Sequence, residues 1–431
     1  MARFLVATMP IRGHVAPFAP VVRQLTTEGH EVVWYGSASH RELIEKLGAT
    51  FAPITRALDF GDGDFDRHFP ERLQKKGLRQ IVYDFEKIFV DSVPGMADDL
   101  FGILRGDAGF AADALLYDPT FAAGANVGLS AGIPYAMLNI TVAAIESPEI
   151  PPFGIGLPFR AGPLGLVRNK LAYTFVDQVV FRAPNAAYRK ICAERGWPIR
   201  PARPAGSPYL NLQPSVAEAE YPVRNFPPTL HFIGPLLPEA QAFTPPPWWD
   251  SVIDGGRPVV LVTQGTVATD PRSLIIPTLR ALAEEDVQVI AATGGPTADE
   301  LGIAIPDNCH VLSFIPFTTV MEHVDVYVTN GGFGGVMIAL TNGVPVVVAG
   351  TTEDKAEVAA RVAHRELGIR LRTSTPQAVA VRRAVRTLLD DPGYTERAAR
   401  VGKLLRGQDA PAKAVRLLER LADTGEPVVA P

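Results

Sequence analysis

The sequence predicts an α/β protein with two parallel-sheet units in tandem. Short apolar runs alternate with segments whose apolar residues recur at helical spacing, first over residues 1–54 and again after residue 257. A stretch rich in proline separates the two series. The chain of 431 residues is long enough for two or three domains, each with a hydrophobic core of its own.

The first fifty residues establish the strand, helix, strand pattern. Residues 4–7 form a short apolar run typical of a buried parallel strand, and the apolar residues from Phe18 to Leu25 repeat at helical spacing. Residues 56–80 and 145–165 interrupt the pattern, and predict an irregular surface excursion and a loop. Further strands are predicted at 31–35, 50–54, 114–117 and 134–138, with helices at 41–47 and 120–130.

The second unit follows the proline-rich stretch. Prolines accumulate between residues 200 and 257, which predicts an interdomain linker, and we set its bounds at 236–257. The sequence thus predicts domains at 1–235 and 258–410. Strands are predicted at 258–263, 287–292, 310–314, 325–329 and 345–349, and only helical patterns follow residue 375.

Composition excludes several classes of protein. With 41 basic against 46 acidic residues and no basic block, neither nucleic acid nor an anionic membrane is expected as the main partner. No apolar run reaches the ~18 to 20 residues of a membrane span, and no cleavable signal is present, so we expect a cytoplasmic protein without membrane insertion. Cys192 and Cys309 lack metal-ligand spacing and are expected to be reduced core thiols.

Two polar residues follow predicted strands of the first unit, where parallel sheets bind ligands. His14 follows the first strand, and an imidazole there can act as a general base or simply bond to its own helix terminus. Asp118 ends a later strand, and its carboxylate can orient His14 or cap the next helix. Both alternatives stay open for each residue.

The second unit carries a glycine-rich loop after a strand, from Thr329 to Gly335. Backbone N–H groups in such a loop approach an anion closely, and the following helix adds the positive end of its dipole. Gly265-Thr266 and Gly294 follow neighbouring strands and offer further donors. The acidic and basic side chains of residues 353–355 either cap a helix or hold a polyhydroxylated ligand. A dinucleotide fold is not favoured, because no G-x-G-x-x-G follows the first strand.

Four stretches together resemble the family 1 glycosyltransferases of GT-B fold, especially bacterial enzymes that glycosylate macrolides and other lipophilic natural products. The resemblance covers nearly the whole chain and implies two Rossmann-like domains facing each other across a cleft. It also implies a C-terminal helix, at 411–431, that returns to the N-terminal domain. The stretches are MPIRGHVAPFAPVVRQLTTEGHEV, LLYDPTFAAGANVGLSAGIP, FIGPLLP and TNGGFGGVMIALTNGVPVVVAGTTEDKAEVAARV.

The resemblance implies roles for particular residues. His14 matches the catalytic base and Asp118 its partner, while the C-terminal domain holds the nucleotide-sugar. The implied donor-binding residues are Gly13, Gly265, Thr266, Gly294, Phe314, Ile315, Asn330, Gly331, Gly332, Gly334, Gly335, Glu353, Asp354 and Lys355.

The chain departs from the family pattern at several donor-site positions. Asn330 replaces a phosphate-contacting His, and Lys355 replaces a Gln that meets the sugar. Phe314 stands for a base-stacking Trp, and Phe317 and Ile338 replace a Gln and a Glu that meet the ribose. Loss of these ribose acceptors is compatible with a deoxyribose, and therefore with a dTDP-sugar.

The function implied is inverting, metal-independent transfer of a sugar from a dTDP- or UDP-sugar to a hydroxyl of a lipophilic acceptor. The nucleotide-sugar is a co-substrate and no cofactor is expected. The apolar loop 145–166 favours an acceptor pocket. Alternatives are a non-catalytic nucleotide-sugar-binding helper protein of the same fold, motivated by the departures, and another activity of the fold such as an epimerase. The oligomeric state is left open.

Overall fold

The computed structural model describes residues 1–75, 77–105, 109–203, 206–224, 226–239, 241–265 and 270–430. These residues form two parallel β-sheets with helices on both faces, which is the predicted α/β architecture. The second sheet begins only after the first is complete, so each sheet belongs to its own part of the chain. Within the described residues, no helix combines the length and the apolar character needed to cross a membrane.

The first sheet has seven strands in the order β3-β2-β1-β4-β5-β6-β7. Its strands are β1 (Arg3–Ala7), β2 (Glu31–Gly36), β3 (Thr50–Pro53), β4 (Ala114–Tyr117), β5 (Tyr135–Leu138), β6 (Leu210–Gln213) and β7 (Leu230–Phe232). The helices of this part are α1 (Arg12–Val15), α2 (Ala19–Thr27), α3 (Arg41–Lys46), α4 (Phe65–His68), α5 (Leu78–Tyr83), α6 (Val93–Arg105), α7 (Ala122–Ala131), α8 (Pro163–Phe175) and α9 (Arg182–Arg195). Two π-helical segments occur at Asp84–Val90 and Val176–Val180.

The second sheet has six strands in the order β10-β9-β8-β11-β12-β13. They are β8 (Val259–Thr263), β9 (Gln288–Ala292), β10 (Cys309–Leu312), β11 (Val326–Thr329), β12 (Val346–Val348) and β13 (Gly368–Arg370). The helices are α10 (Trp249–Ile253), α11 (Ile275–Leu282), α12 (Phe317–Val320), α13 (Phe333–Thr341), α14 (Lys355–His364), α15 (Ala378–Asp390), α16 (Pro392–Arg406) and α17 (Ala410–Thr424).

The central strands are apolar throughout because both of their faces are covered. In β1, Phe4 and Val6 enter one core while Leu5 and Ala7 enter the core on the opposite face, as the two-residue period of a strand requires. The second sheet divides its valines and leucines between two further cores in the same way. Each sheet therefore holds the loops at its carboxyl edge on a rigid base.

Two regions predicted to be irregular contain regular structure. Residues 56–80 include α4 and the start of α5, and they are anchored by Phe60 and Phe69, which are 1% and 8% exposed and pack edge to face. The proline-rich region supplies β6, β7 and α10, because its prolines lie between these elements rather than inside them. Residues 56–80 lie mostly at the surface, as predicted, but they are not irregular throughout. Strand β13 and helices α6, α8 and α9 were not predicted.

The last helix leaves the second half of the chain and packs on the first. Apolar residues of α17, among them Leu418 and Leu421, join the core beneath α2. The ring of His30 accepts the Ala2 N–H at Nδ1 (3.1 Å), so its proton is on Nε2, which donates to Glu419 of α17 (3.1 Å). A hydrogen bond and an apolar seam thus attach the end of the chain to the first sheet.

Candidate active site

The strand order of each sheet reverses once, at β1 and β4 in the first sheet and at β8 and β11 in the second. In open parallel sheets, ligands bind beyond the carboxyl ends of the strands at such a reversal. His14 follows β1 and Asp118 follows β4, while Gly265 follows β8 and Asn330 follows β11. These four predicted residues therefore lie at the two positions where parallel sheets bind ligands.

The structure brings His14 and Asp118 together. Ala7 of β1 pairs with Tyr117 of β4, so the loops that follow leave the sheet side by side. Nδ1 of His14 lies 3.3 Å from Oδ1 of Asp118, whose side chain is fully buried. Since Nδ1 faces the carboxylate and His14 lines a cavity, Nε2 is the ring nitrogen that can meet a ligand.

Asp118 accepts four contacts in all. Its Oδ2 accepts the Met9 N–H at 2.7 Å, and its Oδ1 accepts the N–H and the hydroxyl of Thr120 at 2.8 and 2.6 Å. Burial alone raises the pKa of this carboxyl, but the His14 ring and the hydrogen bonds outweigh burial and hold the pKa below its ordinary value. The carboxylate therefore stays ionised and faces Nδ1 of His14. Asp118 thus both orients His14 and caps the turn before α7.

A cavity of about 600 Å³ opens between the two sheets and is lined from both. Its wall on the side of the first sheet is largely apolar and aromatic, which suits a lipophilic molecule of drug size. Phe89 stacks on His14 with ring centroids 6.3 Å apart and planes 29° apart, so the apolar wall extends to the His14 ring. The wall includes Phe85, Ile88, Ile145, Phe153, Tyr173 and Phe181.

Two glycines of the loop after β11 are required by packing. Gly331 has φ +96°, and a Cβ there would lie 2.5 Å from Cγ1 of Val348. A Cβ on Gly335 would lie 2.8 Å from the hydroxyl oxygen of Tyr327. These two glycines let the start of α13 approach the sheet closely.

The other two glycines open onto the cavity. Gly332 and Gly334 both line it, and a Cβ on Gly334 would meet no atom within 4 Å. The first N–H groups of an α-helix have no partner inside the helix, and they carry the positive end of its dipole. The first turn of α13 therefore presents N–H donors to an anion without side chains in the way.

Asn330 connects the glycine loop to the end of β8. Its Nδ2 donates to the backbone oxygen of Gln264, and its Oδ1 accepts the Gly332 N–H at 3.4 Å. Gly265 lies next to this amide, with φ +73° and a Cβ position 3.6 Å from it. One N–H of the amide is therefore engaged by the loop, and the second remains for a ligand. Thr266, also expected at the donor site, lies outside the described residues.

Residues 353–355 lie at the turn between β12 and α14 and line the same cavity. Lys355 forms an ion pair with Glu353, and Glu353 has a left-handed φ of 56°. Asp354 crosses to the first sheet, where its Oδ2 accepts the Thr141 hydroxyl at 2.5 Å. Burial raises the pKa of the Asp354 carboxyl.

The remaining predicted residues have diverse positions. Gly13 lies in α1 and lines the cavity beside His14. Gly294 follows β9 and has φ +77°. A Cβ at this position would lie 3.6 Å from the backbone oxygen of Gly265. Phe314 is 59% exposed, whereas Ile315 is 1% exposed and belongs to the core of the second domain. Contacts of Phe314 and Ile315 with a nucleotide base stay predictions.

An ion triad between the two halves of the chain was missed. Glu220 pairs with Arg361, and Arg361 pairs with Glu357 one turn earlier at 3.2 Å. All three are buried, and Glu220 also accepts the Ala143 N–H at 2.7 Å. The i, i+4 spacing of Glu357 and Arg361 was a signal for half of the triad. Nothing in the sequence links Glu220 to them.

The triad fixes the loop that faces the cavity. The second carboxylate oxygen of Glu357 accepts the N–H groups of Gly154 and Gly156, at 3.1 and 2.7 Å. The same helix, α14, begins beside Asp354. Helix α14 therefore holds the apolar loop of the first domain with its buried face and reaches the cavity with its N-terminus.

The chain is similar to known glycosyltransferases in both sequence and structure. Residues 277–421 match the family described as "Erythromycin biosynthesis protein CIII-like, C-terminal domain". The 4'-demethylrebeccamycin synthase of Lentzea aerocolonigenes is 40% identical over 425 residues, which are 97% of this chain and 99% of that protein. The UDP-glycosyltransferase 2 of Phaeomoniella chlamydospora is 32% identical, covering 97% of this chain and 95% of that one. Among solved structures, the glycotransferase of kitacinnamycin is 23% identical, with a TM-score of 0.73 over 97% of this chain and 98% of its own.

Proposed function

The chain belongs to the natural-product glycosyltransferases of family 1, which have the GT-B fold. We propose that it catalyses inverting transfer of a sugar from a nucleotide-sugar to a hydroxyl of a lipophilic acceptor. The observation that carries the proposal is the short contact between His14 and the buried, ionised Asp118 at the wall of an apolar cavity. The acceptor occupies the apolar side of this cavity, and the donor occupies the side of the second sheet.

In this mechanism His14 is the general base. Its Nε2 takes the proton of the acceptor hydroxyl while the oxygen forms a bond to the anomeric carbon of the sugar. The bond from that carbon to the diphosphate oxygen breaks, and the nucleoside diphosphate leaves with the electron pair. Attack from the face opposite the leaving group inverts the configuration. Asp118 holds the ring in orientation and stabilises its positive charge.

The leaving diphosphate is stabilised without a metal ion in this proposal. Open N–H groups at the start of α13, around Gly332 and Gly334, meet the developing negative charge. The second N–H of Asn330 adds a donor. Asp354 accepts hydroxyls of the sugar, since it lines the cavity beside the ion pair of Lys355.

For the nucleotide we propose that thymidine diphosphate is preferred over uridine diphosphate. Phe317 and Ile338 line the cavity and offer no side-chain acceptor to a ribose hydroxyl. A site without those acceptors gains nothing from a 2'-hydroxyl and bears its desolvation cost. Isothermal titration with dTDP and UDP tests this, and a clear preference for UDP contradicts it.

The direct test of the proposed function is His14→Ala, assayed with a panel of dTDP- and UDP-sugars. We expect glycoside formation to be lost while the dissociation constant of the donor changes little, because His14 meets the acceptor rather than the diphosphate. Unchanged turnover in the variant removes His14 as base. Donor binding by the wild-type protein without transfer or hydrolysis, over a broad acceptor panel, identifies a helper protein instead.

A further inference from the structure

One face of α8 and of the π-helical turn after it is apolar and exposed. Leu164, Val167, Leu171, Phe175 and Val179 are each 57–66% exposed. Their spacings of three, four, four and four residues place them in one row along the helix. We call this row the α8 stripe. Large exposed apolar patches on soluble proteins mark sites of interaction with proteins or membranes.

Folding of the chain does not account for the α8 stripe. The opposite side of the helix makes the contacts with the fold: Gly165 and Asn169 are buried there, and Asn169 donates to the Pro148 oxygen at 2.9 Å. Tyr173 and Val176 line the cavity. Helix α8 is therefore a wall with the acceptor cavity on one side and an apolar outer surface on the other.

The charged residues along the α8 stripe are basic except for Asp177, which is paired. Residues 150–176 contain no Asp or Glu, although the chain as a whole carries a net charge of -5. The same segment contains Arg160, Arg168 and Lys170. The first acidic residue after it, Asp177, pairs with Arg203 at 3.0 Å. The overall acidity, which argues against membrane binding, does not hold for this face.

We propose that α8 docks the protein on the surface of an anionic lipid bilayer. The helix lies parallel to the surface with the α8 stripe in the boundary between headgroups and acyl chains, and the Arg and Lys side chains reach lipid phosphates. None of the helices in the described part of the chain crosses the bilayer. A lipophilic acceptor dissolved in the bilayer then reaches the cavity past the wall that α8 forms.

A second copy of the chain fits the α8 stripe less well than lipid does. A two-fold interface centred on α8 near Asn169 would bring Arg168 and Lys170 close to the same residues of the other copy, and these like charges repel. An anionic surface instead attracts each basic residue, which strengthens binding by about fivefold per residue.

The test is co-sedimentation of the wild-type protein with vesicles, without donor or acceptor, so its result does not depend on sugar transfer. We expect binding to phosphatidylcholine vesicles that contain phosphatidylglycerol, and weaker binding to phosphatidylcholine alone. Raising the salt to about 1 M, where the Debye length is about 3 Å, should reduce binding to the anionic vesicles. Absence of binding to the anionic vesicles overturns the proposal.

Two variants test whether vesicle binding depends on the α8 stripe or on any exposed apolar residue. Leu171→Ser with Phe175→Ser should lower the vesicle partition coefficient by at least about tenfold, since two apolar side chains no longer enter the lipid. The matched control is Val379→Ser in α15, a residue 73% exposed and far along the chain, which should bind as the wild type does. Equal loss in both variants contradicts the proposal. A dimer by size-exclusion chromatography with light scattering that the double variant abolishes, with no vesicle binding, assigns the stripe to a protein interface instead.

Discussion

Asp118→Asn removes the charge beside His14 and replaces one acceptor oxygen by an NH2 group. Both oxygens of Asp118 are in use, Oδ2 by the Met9 N–H and Oδ1 by Thr120 and His14. An amide has one oxygen, so in one orientation its NH2 opposes the Met9 N–H. In the other orientation the NH2 donates to Nδ1 of His14 and forces the ring proton onto Nε2. That is the nitrogen required to accept the proton of the acceptor hydroxyl.

The magnitude follows from these two orientations. A buried donor left unpaired costs about 1–3 kcal/mol of stability, which is the expected loss in the unfolding free energy. The same substitution in Ser-His-Asp hydrolases lowers turnover on the order of 10⁴-fold, because the ring takes the wrong tautomer. A 10⁴-fold loss corresponds to about 5 kcal/mol of transition-state stabilisation. We therefore expect transfer by Asp118→Asn to fall by at least about 10³-fold.

Asp113→Asn is the matched control. Asp113 flanks the other end of β4, where its Oδ2 accepts the Arg3 N–H at 2.7 Å, the counterpart of the bond from Met9 to Asp118. Both variants should lose stability in chemical denaturation, but only Asp118→Asn should lose initial velocity at saturating donor. Similar velocities for the two variants, when both are folded, would refute the role of Asp118 in orienting the base.

Three further outcomes are expected. Gly334→Val should weaken donor binding, measured by titration calorimetry, by at least about tenfold, because the valine side chain enters the open space at the start of α13. The thermal midpoint of the variant should stay near that of the wild type, and unchanged donor affinity would count against the anion site. Asp354→Asn should weaken donor binding yet stabilise the fold at neutral pH, because burial raises the pKa of this carboxyl and the ionised form is penalised. That gain should disappear in acid, where the carboxyl is protonated in both folded and unfolded protein, and a loss of stability at neutral pH would contradict it. The ionised carboxylate of Asp118 has the opposite effect on the unfolding free energy, because its pKa is lowered in the folded state. Its stabilising effect is present above the unfolded pKa of about 3.9 and is lost as the pH falls through the pKa of the folded state. The difference in unfolding free energy between wild type and Asp118→Asn should therefore narrow in acid, and a difference that does not depend on pH would exclude this linkage.

The parallel strands were the most predictable part of the fold. A buried parallel strand is apolar on both faces, so β1, β4, β8 and β11 appear in the sequence as short uninterrupted apolar runs. Polar residues that follow such runs must lie at the carboxyl edge of a sheet. The proximity of His14 and Asp118 could therefore be predicted from the sequence. The glycine loop was recognisable for the same reason.

Other features could not be predicted because their causes are distant in the chain. Helix α8 has a row of apolar residues that points to solvent. Its sequence therefore does not show the apolar buried face and polar exposed face from which a helix is predicted. Glu220 acquires its role only when Arg361 reaches it from the other half of the chain. The contact of Thr120 with Asp118 could have been predicted, because an Asp side chain often accepts the backbone N–H two residues later in a turn.

The seam between α17 and α2 also determines when each half of the chain can mature during synthesis. A ribosome releases the chain from its N-terminus, so the first sheet emerges long before Leu418 and Leu421 exist to cover it. The cores of the second sheet take their last apolar residues from α15 and α16, which both precede α17 in the chain. The earlier-made half is therefore the one that completes its core last, and until α17 has emerged it exposes apolar surface that a chaperone would bind.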